Sequence, residues 1–147
     1  AYCEDCKAGT FYDASLPVPI CAPCLAGTSS RAAASECDAC DTGRWSAERA
    51  DDCTPCPKGW HGSESNLRTS EAAQCAPCPV GTFSAIEGLA SVSDCSPCFP
   101  GTKGIGGEGG ATSKAAGCED CGPGEFTDSA GMSECDRCQC SQVTSYF

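Results

Sequence analysis

The chain has 147 residues, of which 17 are cysteine, and a formal net charge of −11. Leu, Ile, Val and Phe together number 16, about 11% of the chain and well below the ~20% at which a highly charged chain can bury a core of its own. That composition argues against an enzyme-like domain with a packed interior. The acidity argues against nucleic-acid binding, which needs a basic footprint, and no run of 18 apolar residues is present to span a membrane.

The chain opens Ala1-Tyr2-Cys3, with no initiator Met and no signal peptide, and is expected to be a mature or excised piece of a secreted protein. From there one unit recurs: Cys-x-x-Cys-x-x-Gly, a polar loop, and the next Cys-x-x-Cys. Internal repetition of this kind defines an array of small units rather than one domain. The expected repeats are 3–20, 21–36, 37–52, 53–74, 75–94, 95–117 and 118–134, with a partial terminal repeat over 135–147. The pairs are Cys3/Cys6, Cys21/Cys24, Cys37/Cys40, Cys53/Cys56, Cys75/Cys78, Cys95/Cys98, Cys118/Cys121 and Cys135/Cys138, leaving Cys140 over.

A glycine stands three residues after each of the first seven pairs, at Gly9, Gly27, Gly43, Gly59, Gly81, Gly101 and Gly124. The regularity predicts a turn that needs positive φ, or a close backbone approach. An aromatic often follows, at Phe11, Trp45, Trp60, Phe83 and Phe126, and is expected to shield a disulfide rather than bind a ligand. Ser30–Glu36 is expected to make one helical turn and Glu64–Gln74 two. Elsewhere the expectation is short two-stranded hairpins with strands of roughly 2–4 residues. The segment 104–110 is the most flexible on composition.

The spacing of the pairs also overlaps the pattern of a four-Cys zinc site. Sparse basic residues, a single His61 and the large negative charge favour disulfides, and so an oxidising, extracellular or cell-surface setting with no cofactor. Thioredoxin-like chemistry at Cys-x-x-Cys is disfavoured, because the motif recurs eight times without a βαβ unit. Pairing is not dictated by sequence. The simplest pattern avoids a strained bridge within Cys-x-x-Cys and runs forward as a ladder: Cys6–Cys21, Cys24–Cys37, Cys40–Cys53, Cys56–Cys75, Cys78–Cys95, Cys98–Cys118 and Cys121–Cys135. Each bridge would contribute about 3 kcal/mol in the chain-entropy model.

Units such as Cys75-Ala76-Pro77-Cys78-Pro79-Val80-Gly81-Thr82-Phe83-Ser84 resemble the ephrin-receptor-like cysteine-rich repeats. They also resemble the first half of a tumour-necrosis-factor-receptor cysteine-rich module. The resemblance covers residues 3 to about 138 and implies the same forward ladder. Its bearers include receptors, matrix proteins, and surface-coat or flagellar-hair glycoproteins. Full receptor modules alternate two half-module types, whereas this chain repeats a single type almost uniformly.

The ladder leaves Cys3, Cys138 and Cys140 for a missing neighbouring segment or for a second subunit in a head-to-tail array. The remaining candidates are weaker. His61 has no catalytic company. Glu36, Asp52, Asp94 and Glu134, each just before the first Cys of a pair, are expected to bond locally at the turn rather than bind calcium. Thr10, Thr28, Thr82 and Thr102, beside the repeat glycines, are possible O-glycosylation sites. The expectation is a small disulfide-rich, elongated tandem array with little helix and no large core. It would be a non-enzymatic extracellular structural segment of a coat, matrix or filament, or alternatively a ligand-binding receptor ectodomain. A receptor role would call for an exposed aromatic or Arg cluster in one or two units.

Overall fold

The computed structural model describes residues 5–138 apart from 16, 19, 66 and 107. Its fold is a tandem series of antiparallel hairpins, one closed by each disulfide. In chain order they are β1 (Thr10–Asp13) with β2 (Ile20–Pro23), β3 (Thr28–Ser29) with β4 (Asp38–Ala39), and β5 (Arg44–Trp45) with β6 (Thr54–Pro55). Then come β7 (Trp60–Gly62) with β8 (Cys75–Pro77), β9 (Thr82–Phe83) with β10 (Ser96–Pro97), β11 (Thr102–Gly104) with β12 (Cys118–Asp120), and β13 (Glu125–Phe126) with β14 (Asp136–Arg137). Each second strand lies around the next cysteine pair, so every hairpin straddles a boundary drawn at the first Cys of a pair.

The local cause of each hairpin is the turn before its first strand. In every repeat the residue one after the repeat Gly donates its N–H to the carbonyl of the residue just after the second Cys, as in Thr10 to Lys7 at 3.0 Å and Thr82 to Pro79 at 3.0 Å. The Gly is the third residue of that turn, with φ between 79° and 89° at all seven positions. This is the type II turn, whose third residue needs positive φ. The Gly carbonyl then accepts the N–H of the second Cys of the following pair, from Cys24 to Gly9 at 3.0 Å through Cys138 to Gly124 at 2.8 Å. Thus the turn starts the hairpin and fixes its register.

Seven disulfides close the loops: Cys6–Cys21, Cys24–Cys37, Cys40–Cys53, Cys56–Cys75, Cys78–Cys95, Cys98–Cys118 and Cys121–Cys135. Their Cα atoms are 5.5–5.9 Å apart, within the ordinary range for a bridge. The core is chiefly a row of sulfurs. The second cysteines Cys6, Cys24, Cys40, Cys56, Cys78 and Cys98 are buried, and Leu89 is the one buried large aliphatic among the described residues.

Two helical expectations are revised. Ser30–Glu36 forms no helix; Ala33 there adopts φ 62°. Glu64–Gln74 yields only a single turn, α1 (Glu71–Gln74), capped by Ser70. A second turn, α2 (Lys114–Gly117), capped by Ser113, was not anticipated. A 3₁₀ turn at Val92–Asp94 has a capping box built from Ser91 and Asp94. All three turns end directly against the first Cys of a pair. The long repeats therefore differ from the short ones by one inserted helical turn, and the units are less uniform than their cysteine spacing implies.

Candidate functional interface at the repeat junctions

Among the described residues no cluster of reactive side chains dominates; the conspicuous feature is how one repeat grips the next. Three backbone bonds recur at the junctions. In the first, the repeat Gly donates to a carbonyl three residues past the next repeat Gly: Gly9 to Ser30 at 2.8 Å, Gly27 to Ser46 at 2.9 Å, Gly59 to Ser84 at 3.0 Å, Gly101 to Thr127 at 3.0 Å. In the second, the amide three past the repeat Gly donates into the next loop: Tyr12 to Ala34, Ser30 to Ala50, Ser46 to Arg68, Gly62 to Leu89, Ser84 to Ala111, Gly104 to Met132. In the third, a loop amide donates back to the buried second Cys: Ala33 to Cys6, Arg49 to Cys24, Gly88 to Cys56, Gly110 to Cys78, Gly131 to Cys98.

The residues giving the third bond all have positive φ, between 62° and 77°. The left-handed bend turns the N–H back toward the preceding repeat while its neighbour's carbonyl accepts the second bond. Glycine meets that demand at 88, 110 and 131. Ala33 and Arg49 accept the strain of a conformation that costs an L residue about 1–2 kcal/mol.

The junction between the third and fourth repeats keeps the second backbone bond, Ser46 to Arg68, and replaces the other two with side chains. The Arg68 guanidinium takes the place of the loop amide, donating to the Cys40 carbonyl and, at 3.2 Å, to Thr42 Oγ1. Gln74 at the end of α1 is fully buried. With its amide oriented to satisfy both ends, it accepts from the Gly43 N–H at 3.2 Å and donates to the Ser65 carbonyl at 3.1 Å. Neither residue was marked as important by sequence reading. What could have marked them is spacing: the left-handed position falls four residues before the first Cys in short repeats and seven or eight before it in long ones. By that count the position falls at Leu67 or Arg68, and the Arg68 carbonyl accepts the second bond as the residue after the left-handed one does elsewhere.

The repeat glycines also touch the repeat two further on. A Cβ on Gly9 would overlap the Arg49 carbonyl; on Gly43, Leu89; on Gly59, Gly110; on Gly81, Gly131. On Gly27 it would lie 3.6 Å from the Arg68 carbonyl. Both demands read from the sequence, positive φ and close approach, therefore act on the same residues. Gly101 and Gly124 differ: no described atom lies within 4 Å of their Cβ positions, and both are exposed.

The other marked residues have local roles. Thr10, Thr28, Thr82 and Thr102 donate their hydroxyls to the turn carbonyls of Lys7, Leu25, Pro79 and Phe99 at 2.6–2.8 Å. Asp52 accepts from the Cys53 N–H at 2.8 Å, and Asp94 from the Ser91 N–H at 2.9 Å, whereas Glu36 and Glu134 make no bond among the described residues. His61 Nδ1 lies 2.8 Å from the Gly62 carbonyl, and its backbone bridges to Leu89 of the next repeat. Phe11 and Phe83 bridge likewise, to Ala34 and Ala111. Glu119 pairs with Lys103 at 3.7 Å. Among the described residues no three His, Cys, Asp or Glu side chains gather as metal ligands would, and no helix is long and apolar enough to cross a membrane. Cys138 is a free, exposed thiol; Cys3 and Cys140 lie outside the described residues.

Asp13 is held below the usual carboxylate range, first by the Ser15 hydroxyl and then by the Ser15 N–H, at 2.5 and 2.9 Å. No protein-family model matches the chain, and no curated protein matches it.

Proposed function

We infer that the chain is a non-enzymatic structural segment of an extracellular coat, matrix or filament, one that self-associates through its ends. Its many disulfides suit an oxidising extracellular setting. One observation carries the structural role: the backbone chemistry of the molecule converges on cohesion between repeats, junction after junction, rather than on a pocket. The resemblance of its units to ephrin-receptor-like repeats belongs to this reading as a likeness in spacing. O-linked glycans on loop Ser and Thr would fit the same setting. The carboxylates are dispersed along the whole array, its first and last repeats included, and give it a strongly acidic surface.

Negative-stain microscopy of the native material tests this reading. Filaments or an ordered coat containing the chain support it. Dispersed short rods that capture a soluble ligand support a receptor ectodomain instead.

A further inference from the structure

The Thr and Ser hydroxyls of the array differ in whether the fold uses them. Those of Thr10, Thr28, Thr82 and Thr102 are engaged inside their turns, and Thr102 is buried as well. A substituent on any of these four would remove the proton that the turn carbonyl accepts. Thr54 and Ser96 are exposed, and their hydroxyls make no hydrogen bond among the described residues. They hold one place in the repeat, after the first Cys of a pair and before a proline, in Cys53-Thr54-Pro55-Cys56 and Cys95-Ser96-Pro97-Cys98.

Thr54 begins β6 and Ser96 begins β10, each strand belonging to a sheet of only two. The proline that follows holds its predecessor in the extended region and, lacking an N–H, blunts the outer edge against pairing. Each hydroxyl therefore stands on a fixed and open strand. Across the hairpin Thr54 is in register with Trp45, and Ser96 with Phe83. Side chains directly opposed in this way share one face of the sheet, with Cβ atoms about 4.5–5.5 Å apart. Both rings are half-buried, so each keeps part of its surface open beside the hydroxyl. Exposed loop hydroxyls such as Ser35 and Thr112 have no proline after them and lie outside the strands. At the same place in the other hairpins stand Ala22, Asp38, Ala76, Glu119 and Asp136, which carry no hydroxyl.

We propose that Thr54 and Ser96 are O-glycan acceptor sites, and that the first sugar of each covers the ring opposite it, Trp45 or Phe83. The proposal deepens the structural reading above and rests on its extracellular setting. The sugar donor is a nucleoside-diphosphate sugar, presented by a glycosyltransferase. The Thr54 or Ser96 Oγ attacks the anomeric carbon, and the new bond joins Oγ to that carbon. The bond from the anomeric carbon to the phosphate oxygen breaks, and the nucleoside diphosphate leaves with its electron pair. The hydroxyl proton passes to a base of the transferase, and nothing is oxidised or reduced. No carbonyl of the hairpin uses that proton, so every hydrogen bond of the fold survives the modification. The apolar face of the sugar takes the open part of the ring out of water, while the sugar hydroxyls stay solvated. The four turn threonines remain bare.

Site-resolved mass spectrometry of the native chain, with fragmentation that leaves the sugar on its residue, is the first test. The expected result is a sugar at both Thr54 and Ser96 and none at Thr10, Thr28, Thr82 or Thr102. In chain secreted by cells that glycosylate it, Thr54→Val and Ser96→Ala should each lose the sugar mass at that position alone. Enzymatic removal of the glycans from the folded chain should shift the indole ring resonances of Trp45 and leave those of Trp60 in place. A bare hydroxyl at Thr54 or Ser96 in native material, or a sugar on any of the four turn threonines, overturns the assignment of the sites. Trp45 resonances unmoved by removal of the sugar overturn its contact with the ring. If any of these is found while native material still shows an ordered coat or filament, the glycan placement fails and the structural reading stands.

Discussion

Gly59 and Gly124 share one backbone conformation, φ 80° and 79°, in different surroundings, so substituting each by Ala separates the two demands on the repeat glycine. Gly124→Ala places its Cβ in open space and should cost only the left-handed penalty of about 1–2 kcal/mol. Gly59→Ala pays the same penalty and also drives its Cβ into the Gly110 carbonyl, with the Ala111 carbonyl just beyond. Both obstacles are backbone, so no side chain can move aside. The loop must lift, at the expense of the Ser84 to Ala111 and Gly110 to Cys78 bonds at 2.9 Å each. Two such bonds are worth about 2 kcal/mol together, which makes local opening about 30-fold more frequent. Hydrogen exchange in the disulfide-intact chain reads this directly. Gly59→Ala should deprotect the Ser84 and Gly110 amides by about that factor while leaving the Ala33 amide in the first junction unchanged. Gly124→Ala should leave all three near their native rates. Equal responses to the two substitutions would show that positive φ alone requires the glycine, and that contact between repeats two apart carries no energy.

Other consequences can be checked alongside it. Arg68→Ala leaves the carbonyl of the buried Cys40 without its donor and should destabilise the third junction by about 2 kcal/mol, read as faster exchange at the Ser46 amide. Arg68→Lys should rescue little, because a single ammonium does not reproduce the guanidinium fork, and full rescue would refute the two-acceptor geometry. Reduction of all seven bridges should abolish the far-UV and near-UV signals of the fold together, since sulfurs form most of the core; retained near-UV structure would mean that a core exists without them. Asp13 should titrate below the ordinary Asp range because the ionised carboxylate accepts from Ser15. The stabilisation of its turn is then complete above the unfolded pKa of about 3.9 and is lost as pH falls through the lower folded value. Carbon-detected NMR gives the midpoint, and Ser15→Ala should move it upward.

Where sequence reading succeeded, the physical constraint repeats in register with the cysteines. The disulfide ladder needs only that each second Cys face forward across a hairpin, and the turn glycine lies at a constant three residues from its pair. Each is a local demand visible in every copy. What it missed depends on contacts between repeats. The left-handed position is Ala33, Arg49, Gly88, Gly110 or Gly131 according to the repeat, so no one residue type marks it. At the third junction its work passes to the side chains of Arg68 and Gln74. The expected helix at Ser30–Glu36 failed for the same reason. Ala-rich composition favours a helix weakly, but the Ala33 amide is needed at the Cys6 carbonyl, 2.7 Å away, and a helical φ would turn it elsewhere. The turns α1 and α2 form where the loop has spare length between the left-handed residue and the next Cys, with Ser70 and Ser113 as caps.

The contact between repeats two apart changes what kind of array this is. In a simple solenoid each unit touches only its immediate neighbours, and stability is a sum of nearest-neighbour terms. Here the loop of each repeat from the third to the seventh lies against its predecessor and against the glycine of the repeat before that. Opening one loop therefore weakens two junctions at once, which couples units too small to hold a core of their own.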